Sequence, residues 1–357
     1  MRSKFLYFVS VILVLFTVTG CGSSSSSDDD NGGDNNNSTP NYFSALEQIP
    51  VGQSRLLDIP TYDGKNQVVH PDILLDDGTF YMAITPYPWS NVDHENPCFY
   101  ESKDGLNFVQ RGHNPIVDHP KNGYNDDPDL IIDPITKEYR IYYNETPSDY
   151  KTQYIAVLRS KDKGGTWIDH RKLLRFNTAG SEPFIVSPAL VYNSYVSKYF
   201  MYHVEVDRDS VAHSPVMCKK DPHKHYIKVL TSNDGIGWDK KNIAGIGIDY
   251  PAGFHPWHIN VIKGNNDTYY MLINGYNTGF CDHHFLYIAV SHDLSNWHFI
   301  PTPVVTSRDA VMPNIRVIYR SAALINGDDM YIYFSFFTDD SRWMLGVKHI
   351  KISQYVK

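Results

Sequence analysis

Five times along the chain an apolar run passes through a short polar turn and returns as a second apolar run. The units are VVHPDILLDDGTFYMAIT from Val68, DDPDLIIDPITKEYRIYYN from Asp126, IVSPALVYNSYVSKYFMYHV from Ile185, WHINVIKGNNDTYYMLIN from Trp257 and VIYRSAALINGDDMYIYFSF from Val317. Runs this short, rich in Val, Ile, Tyr and Phe and bounded by Asp, Asn and Gly, read as paired strands. No stretch carries a helical period long enough to compete. Taking Asp72, Asp129, Ala189, Asn260 and Ala323 as equivalent positions gives steps of 57, 60, 71 and 63 residues.

A second repeat follows the first. Ser102-Lys-Asp-Gly-Leu-Asn-Phe108, Ser160-Lys-Asp-Lys-Gly-Gly-Thr-Trp167, Ser232-Asn-Asp-Gly-Ile-Gly-Trp238 and Ser291-His-Asp-Leu-Ser-Asn-Trp297 each close another β-rich run. Ser and Asp side chains bond turn amides, Gly supplies positive φ, and the aromatic packs back over the hairpin. Four strands plus turns fill each period, which is the signature of a propeller blade. The fifth unit runs on through Trp343 to Ile352 and then lacks an outer strand. Ser54-Arg-Leu-Leu-Asp-Ile-Pro60 is expected to supply it and to close the ring. The fold class is therefore all-β, a five-bladed β-propeller over residues 41–357 closed by an N-terminal strand.

The segment before it is different. Arg2 and Lys4 precede an apolar run from Phe5 to Val18, the pattern of a signal peptide over residues 1–20. Val18-Thr19-Gly20-Cys21 resembles a bacterial lipobox, which implies lipidation of Cys21 and anchoring to, not spanning of, a membrane. Residues 21–40, rich in Ser, Asp and Asn, cannot bury a core and read as a tether. The acidic run Asp28 to Asp30 resembles the export signal of Bacteroidetes surface lipoproteins, so a cell-surface position on the outer membrane is expected.

A formal net charge of -8 argues against a nucleic-acid partner. Three cysteines beyond Cys21, namely Cys98, Cys218 and Cys281, are too few and too scattered for a disulfide framework or a zinc motif. The 26 Tyr and 17 Phe suit strands and sugar-stacking surfaces equally.

In a propeller the starts of the innermost strands open on one face of the axis. There the sequence places His70-Pro-Asp72, Asp126-Asp-Pro-Asp129, Ser187-Pro-Ala189, Trp257-His-Ile-Asn260 and Tyr319-Arg-Ser321. An Asp72 that faces an axial pocket explains a carboxylate on an otherwise apolar strand; a bond to a neighbouring blade explains it equally well. Asp127 competes with Asp129 for the axial place, because strand alternation separates them poorly. Asp126 is expected to cap the turn.

An HPD first strand, a DPD second strand, five blades and S-x-D-G-x-x-W turns resemble the five-bladed propeller glycoside hydrolases, the group with families 43, 32 and 117. That resemblance implies hydrolysis of a glycosidic bond, with Asp72 as base or nucleophile and Asp129 as the orienting carboxylate. It also implies a general acid, for which Glu205 and Glu95 are favoured over Glu145 and Glu182. His258 is either an acid, as in family 117, or a structural histidine. His70, Asp127, Asn260 and Arg320 are expected to bind substrate, and Tyr87 and Trp89 to stack on a sugar. No metal or other cofactor is expected, although related propellers sometimes hold a structural Ca²⁺.

His223, His225, His283 and His284 read as members of solvated loops, while His203 and His255 lie nearer the axis. Asp207 to Lys224 reads as an insertion walling the pocket. The expected partner is a carbohydrate and the expected state a monomer. Two further readings stand beside hydrolysis: a polysaccharide lyase using His and Tyr on a uronate held by Arg320, and a non-catalytic glycan binder.

Overall fold

Each of the five units folds into a sheet radiating from a common axis, of four strands in four blades and five in the fourth. The computed structural model describes residues 40–120, 122–206, 225–277, 283–309 and 315–356. The first blade is β2 (Val68–Asp76), β3 (Thr79–Pro86), β4 (Cys98–Ser102) and β5 (Val109–Gln110). The second is β6 (Tyr124–Ile132), β7 (Tyr139–Thr146), β8 (Gln153–Ser160) and β9 (Ile168–Phe176). The third comprises β10 (Phe184–Asn193), β11 (Lys198–Val206), β12 (His225–Ser232) and β13 (Ala244–Gly245).

In the fourth blade, β15 (Phe254–Lys263), β16 (Tyr269–Asn277), β17 (Phe285–Ser291) and β18 (Asn296–Val305) are joined by β14 (Gly247–Ile248), which runs parallel to β18. The fifth is β19 (Ile315–Asn326), β20 (Asp329–Thr338) and β21 (Trp343–Lys351), completed by β1 (Ser54–Leu57) as its outer strand. Ser54 to Leu57 pair antiparallel with Lys348 to Leu345, so the expected closure is the observed one.

The apolar core lies between blades. At the closing seam Tyr331, Tyr333, Leu345 and Val347 of blade five pack on Phe80, Met82, Ile84 and Tyr100 of blade one. A recurring bond crosses three seams. Tyr142 Oη donates to the Gly235 carbonyl at 2.9 Å, Tyr202 Oη to that of Leu294 at 2.5 Å and Tyr333 Oη to that of Gly105 at 2.8 Å. Each accepting carbonyl belongs to an S-x-D turn of the next blade, so the turn repeat also carries the inter-blade contact.

Within those turns Asp104 Oδ1 accepts the amides of Leu106 and Asn107, and the Ser102 hydroxyl takes the Gly105 amide. The Asp162, Asp234 and Asp293 carboxylates accept turn amides in the same manner. Burial pushes the Asp104 and Asp293 carboxyls upward, but the amide and Asn donors outweigh it and hold both down at about 2. The amide of Thr166 holds Asp162 there too, and the Gly237 amide lowers Asp234. A depressed carboxyl stabilises the fold above its unfolded pKa of about 3.9 and ceases to do so as pH falls through its folded value. The melting temperature is therefore expected to fall between about pH 4 and pH 2. Replacing all four turn Asp with Asn should flatten that drop; an unchanged slope in a thermal melt series would remove the turns from the account.

The innermost strands share one distortion. Their register shifts between Val69 and Asp72, Asp126 and Asp129, Val186 and Ala189, Pro256 and His258, and Ile318 and Ser321. In the first three blades the bulge begins at a residue of positive φ, His70 at 55°, Asp127 at 52° and Ser187 at 55°, each followed by proline. Proline has no N–H to give a ladder and is tolerated at such a bulge. The left-handed conformation costs non-glycine residues about 1 kcal/mol or more and re-aims their side chains.

Two expectations change here. His225 opens β12 and His284 stacks on Tyr276 with ring centroids 4.8 Å apart; both are buried, not solvated, because aromatic neighbours cover them. The insertion Asp207 to Lys224 lies outside the described residues, as do His223, Cys218, Cys281 and Cys21.

Candidate active site

The bulges of blades one to five bring His70, Asp127, Ser187, His258 and Arg320 together at the starts of the inner strands, around a cup on the axis. Asp127 is its centre and is fully buried. Its Oδ2 accepts the Ser187 amide at 2.9 Å and Asn144 Nδ2 at 3.3 Å. Its Oδ1 faces His258 Nδ1 at 3.1 Å, His70 Nε2 at 3.4 Å and Arg320 Nη1 at 3.4 Å. His70 is held from its other nitrogen, with Nδ1 2.9 Å from Thr85 Oγ1 and 3.5 Å from Glu95 Oε1. His258 Nδ1 also meets the Ser187 hydroxyl at 2.8 Å.

Burial lowers His70 to about 3 and lowers His258 as well, so both imidazoles are neutral near pH 7. Burial alone would raise the Asp127 carboxyl; the donors around it, His258 and His70 first and Arg320 after, hold it well below the usual range. Glu95 and Asp126 go the other way. Burial first, and then the neighbouring acids, push both carboxyls well above theirs. The cup thus sets one carboxyl pushed down beside two pushed up. Its wall is aromatic: the Tyr319 ring lies 4.2 Å from His258 and 4.9 Å from Trp343, and Trp343 lies 5.8 Å from Tyr87. His70, Asp127 and His258 also form a set of metal-capable groups whose ligand atoms lie within 4.8 Å of one another.

Arg320 is the floor. Its Nη2 lies 3.3 Å from the Pro188 carbonyl and 3.7 Å from Asp129 Oδ1, so one guanidinium separates Asp127 from a lower ring. That lower ring holds Asp72, Asp129 and Asn260. Asp72 accepts the Leu130 amide of the next blade, its own neighbour Ile73 at 2.9 Å and Asn260 Nδ2 at 3.2 Å. Asp129 accepts the Leu190 amide, again in the next blade, at 3.0 Å. Both line a cavity of about 210 Å³ with Ile132, Tyr192 and Lys263, further along the inner strands than the cup. Burial raises Asp72 to about 6 against Arg320 and the amides, and burial and then Asp72 raise Asp129.

His70, Glu95, Asp127, His258 and Arg320 converge on the cup, and Tyr87 on its wall. Asp72, Asp129 and Asn260 do not; they stay on the axis one level below, where Asp72 meets Asn260 from blade four and Asp129 faces Arg320 from blade five, and the bulge sets them apart from His70 and Asp127 along the strands. Glu205 meets His203 at 3.4 Å and makes no described contact with the cup. Glu145 pairs with Lys172 and His170, and Glu182 with Lys240. Trp89 stands at φ 49° with its ring 58% exposed, and its amide is fixed by Gln67 Oε1 at 3.1 Å. Asp126, expected to cap a turn, lies in the cup. The sequence places Ser187 and Tyr319 at axial strand starts but gives neither a role, although Ser187 precedes a proline as His70 and Asp127 do, and it holds no signal for Trp343.

No family model matches the chain, and no curated protein matches it. Among solved structures it is similar to an N-acetylgalactosamine deacetylase from F. plautii in complex with blood group B trisaccharide, at 17% identity and a TM-score of 0.69, over 83% of this chain and 94% of that one. An alpha-L-arabinofuranosidase from Podospora anserina in complex with cellotriose aligns at 12% identity with a TM-score of 0.60, over 83% and 96%. A thermostable family-43 glycoside hydrolase aligns at 13% identity with a TM-score of 0.55, over 79% and 88%. The five-bladed propeller of these carbohydrate-active enzymes is the fold of this chain.

Proposed function

We propose that this chain is a glycoside hydrolase that cleaves an extracellular poly- or oligosaccharide in the upper cup, at Asp127 and its neighbours and not at Asp72. One observation carries the reading: Glu95, Asp126 and Asp127, from two adjacent blades, share one cup while their surroundings push their carboxyls in opposite directions. Glycosidic cleavage asks for that division, an acid to protonate the leaving oxygen and a carboxylate that stays charged. Glu95 is the proton donor in this scheme and Asp127 the ionised partner that stabilises developing positive charge. Tyr319, Trp343 and Tyr87 give the sugar an apolar wall, and the exposed ring of Trp89 offers a stacking surface outside it.

A second reading is favoured by the likeness to the F. plautii deacetylase: hydrolysis of an N-acyl group on an amino sugar, with the glycan chain left whole. Location enters the proposal from the sequence, with Cys21 lipidated and the propeller held at the outer-membrane surface as a monomer.

The mass of the products separates these readings. The protein is incubated with plant, algal and host glycans, with Glu95→Gln alongside. Fragments whose summed mass exceeds the substrate by one water, reduced at least about 100-fold in the variant, are the expected result. An intact chain short of one acetyl group selects the second reading. Fragments with an unsaturated end and no added water would make the protein a lyase, and glycans bound but unchanged would leave it a binder.

A further inference from the structure

We propose that His70, Asp127 and His258 form a binding site for one divalent transition-metal cation of the zinc, cobalt or manganese kind. Two imidazoles and one carboxylate are the donor set that such ions take, whereas Ca²⁺ prefers an all-oxygen shell. The spacing agrees. Ligands held at about 2.0–2.2 Å around a tetrahedral centre stand about 3.3–3.5 Å apart, and slightly less around an octahedral one. Asp127 Oδ1 lies 3.1 Å from His258 Nδ1 and 3.4 Å from His70 Nε2.

Two of the three atoms of this triangle are also left over, while the third, His258 Nδ1, is shared with the Ser187 hydroxyl at 2.8 Å, a bond that the cation would replace. His70 Nε2 and Asp127 Oδ1 are buried without a hydrogen-bond partner among the described residues, a costly state for polar atoms that nothing binds. Their other ends are fixed: Thr85 Oγ1 and Glu95 Oε1 hold His70 Nδ1, and the Ser187 amide and Asn144 hold Asp127 Oδ2. Outer partners of this kind set the orientation of metal-ligating side chains. The backbone contributes as well, since the positive φ of His70 and Asp127 aims two side chains from different blades at one point. Arg320 reaches Asp127 from the floor, where Asp129 and the Pro188 carbonyl share it, so the cation's place is on the side of Asp127 away from Arg320.

Three protein ligands leave coordination positions for water and a substrate oxygen, the arrangement of a catalytic and not a structural ion. Its use rests on the hydrolytic function proposed above and would make Asp127 a ligand in place of the free anion of that scheme; its binding does not rest on it.

The mature protein is stripped with a chelator and titrated with Co²⁺, read by visible absorption and by thermal melting, with Zn²⁺, Mn²⁺ and Ca²⁺ in parallel melts. One equivalent of Co²⁺ is expected to give a d–d band and raise the melting temperature, with no such shift from Ca²⁺. His70→Ala and His258→Ala should each weaken binding at least about 100-fold, as loss of a ligand implies. The exposed-site control His298→Ala should bind as the wild type does. X-ray absorption on the Zn²⁺-loaded wild type needs no variant and should show two imidazole ligands. No band and no imidazole ligation, or equal binding to wild type and to His70→Ala, overturns the site. Glycan hydrolysis that survives chelation in a protein that binds no cation would discard the metal and keep the hydrolase. A bound cation with no change to any glycan would do the reverse.

Discussion

Asp127→Asn is expected to lower kcat/KM at least about 10³-fold, roughly 4 kcal/mol of transition-state stabilisation, in a protein that still folds. The carboxamide has nearly the same shape, but only one acceptor oxygen. If that oxygen serves the Ser187 amide and Asn144, the NH₂ group turns toward His70, His258 and Arg320, where Oδ1 now faces them at 3.4, 3.1 and 3.4 Å. The one fixed negative charge of the cup is gone and a donor confronts donors. Arg320 is not orphaned, since Asp129 and the Pro188 carbonyl remain within 3.7 and 3.3 Å. The stability cost is accordingly that of misplaced hydrogen bonds, about 1–3 kcal/mol. Steady-state kinetics together with a thermal melt decide the matter. A folded variant within about ten-fold of wild type would mean that the chemistry is not in the cup, and His258→Gln, which leaves every charge in place, checks the same conclusion independently.

The architecture was open to sequence reading because it is written several times over. Five inner hairpins and four S-x-D turns each give a weak signal, and their order along the chain gives a strong one. Even the closure by Ser54 to Leu57 follows from the missing outer strand after Trp343. The site was open only as far as its face. A period of two places side chains correctly until a bulge interrupts it, and every inner strand here is interrupted where the site begins. Asp72 is axial, as it reads, but lies one level below the cup, and His70, two residues earlier, is the group that reaches it. In the second blade the same shift exchanges Asp129 for Asp127. Proline after each positive-φ residue is the trace that the bulge leaves in the sequence, common to His70, Asp127 and Ser187. Tyr319 and Trp343 leave none, since an aromatic on a blade looks alike whether it packs a seam or lines a cup. Glu205 reads as a candidate because it closes a strand end, and its described partner is His203.

This exchange of roles makes Asp72 the informative position. Asp72→Ala is expected to destabilise the protein by about 3–9 kcal/mol, because the Leu130 and Ile73 amides and the Asn260 side chain all lose their acceptor in a buried place, at about 1–3 kcal/mol each. That is a large share of the 5–15 kcal/mol typical of a folded domain. The loss falls where blades one, two and four meet, so no single sheet can absorb it. Asp72→Asn restores one acceptor and should cost only about 1–2 kcal/mol. Its burial also raises the Asp72 carboxyl to about 6, so part of the native carboxylate's charge is held at a cost that the amide avoids. Chemical denaturation measures both variants, and kinetics per folded molecule should stay within about three-fold of wild type for Asp72→Asn, in contrast with the collapse expected of Asp127→Asn. The opposite result, a stable Asp72→Asn without activity, would return the catalytic base to the lower ring and reduce the cup to a scaffold around Arg320.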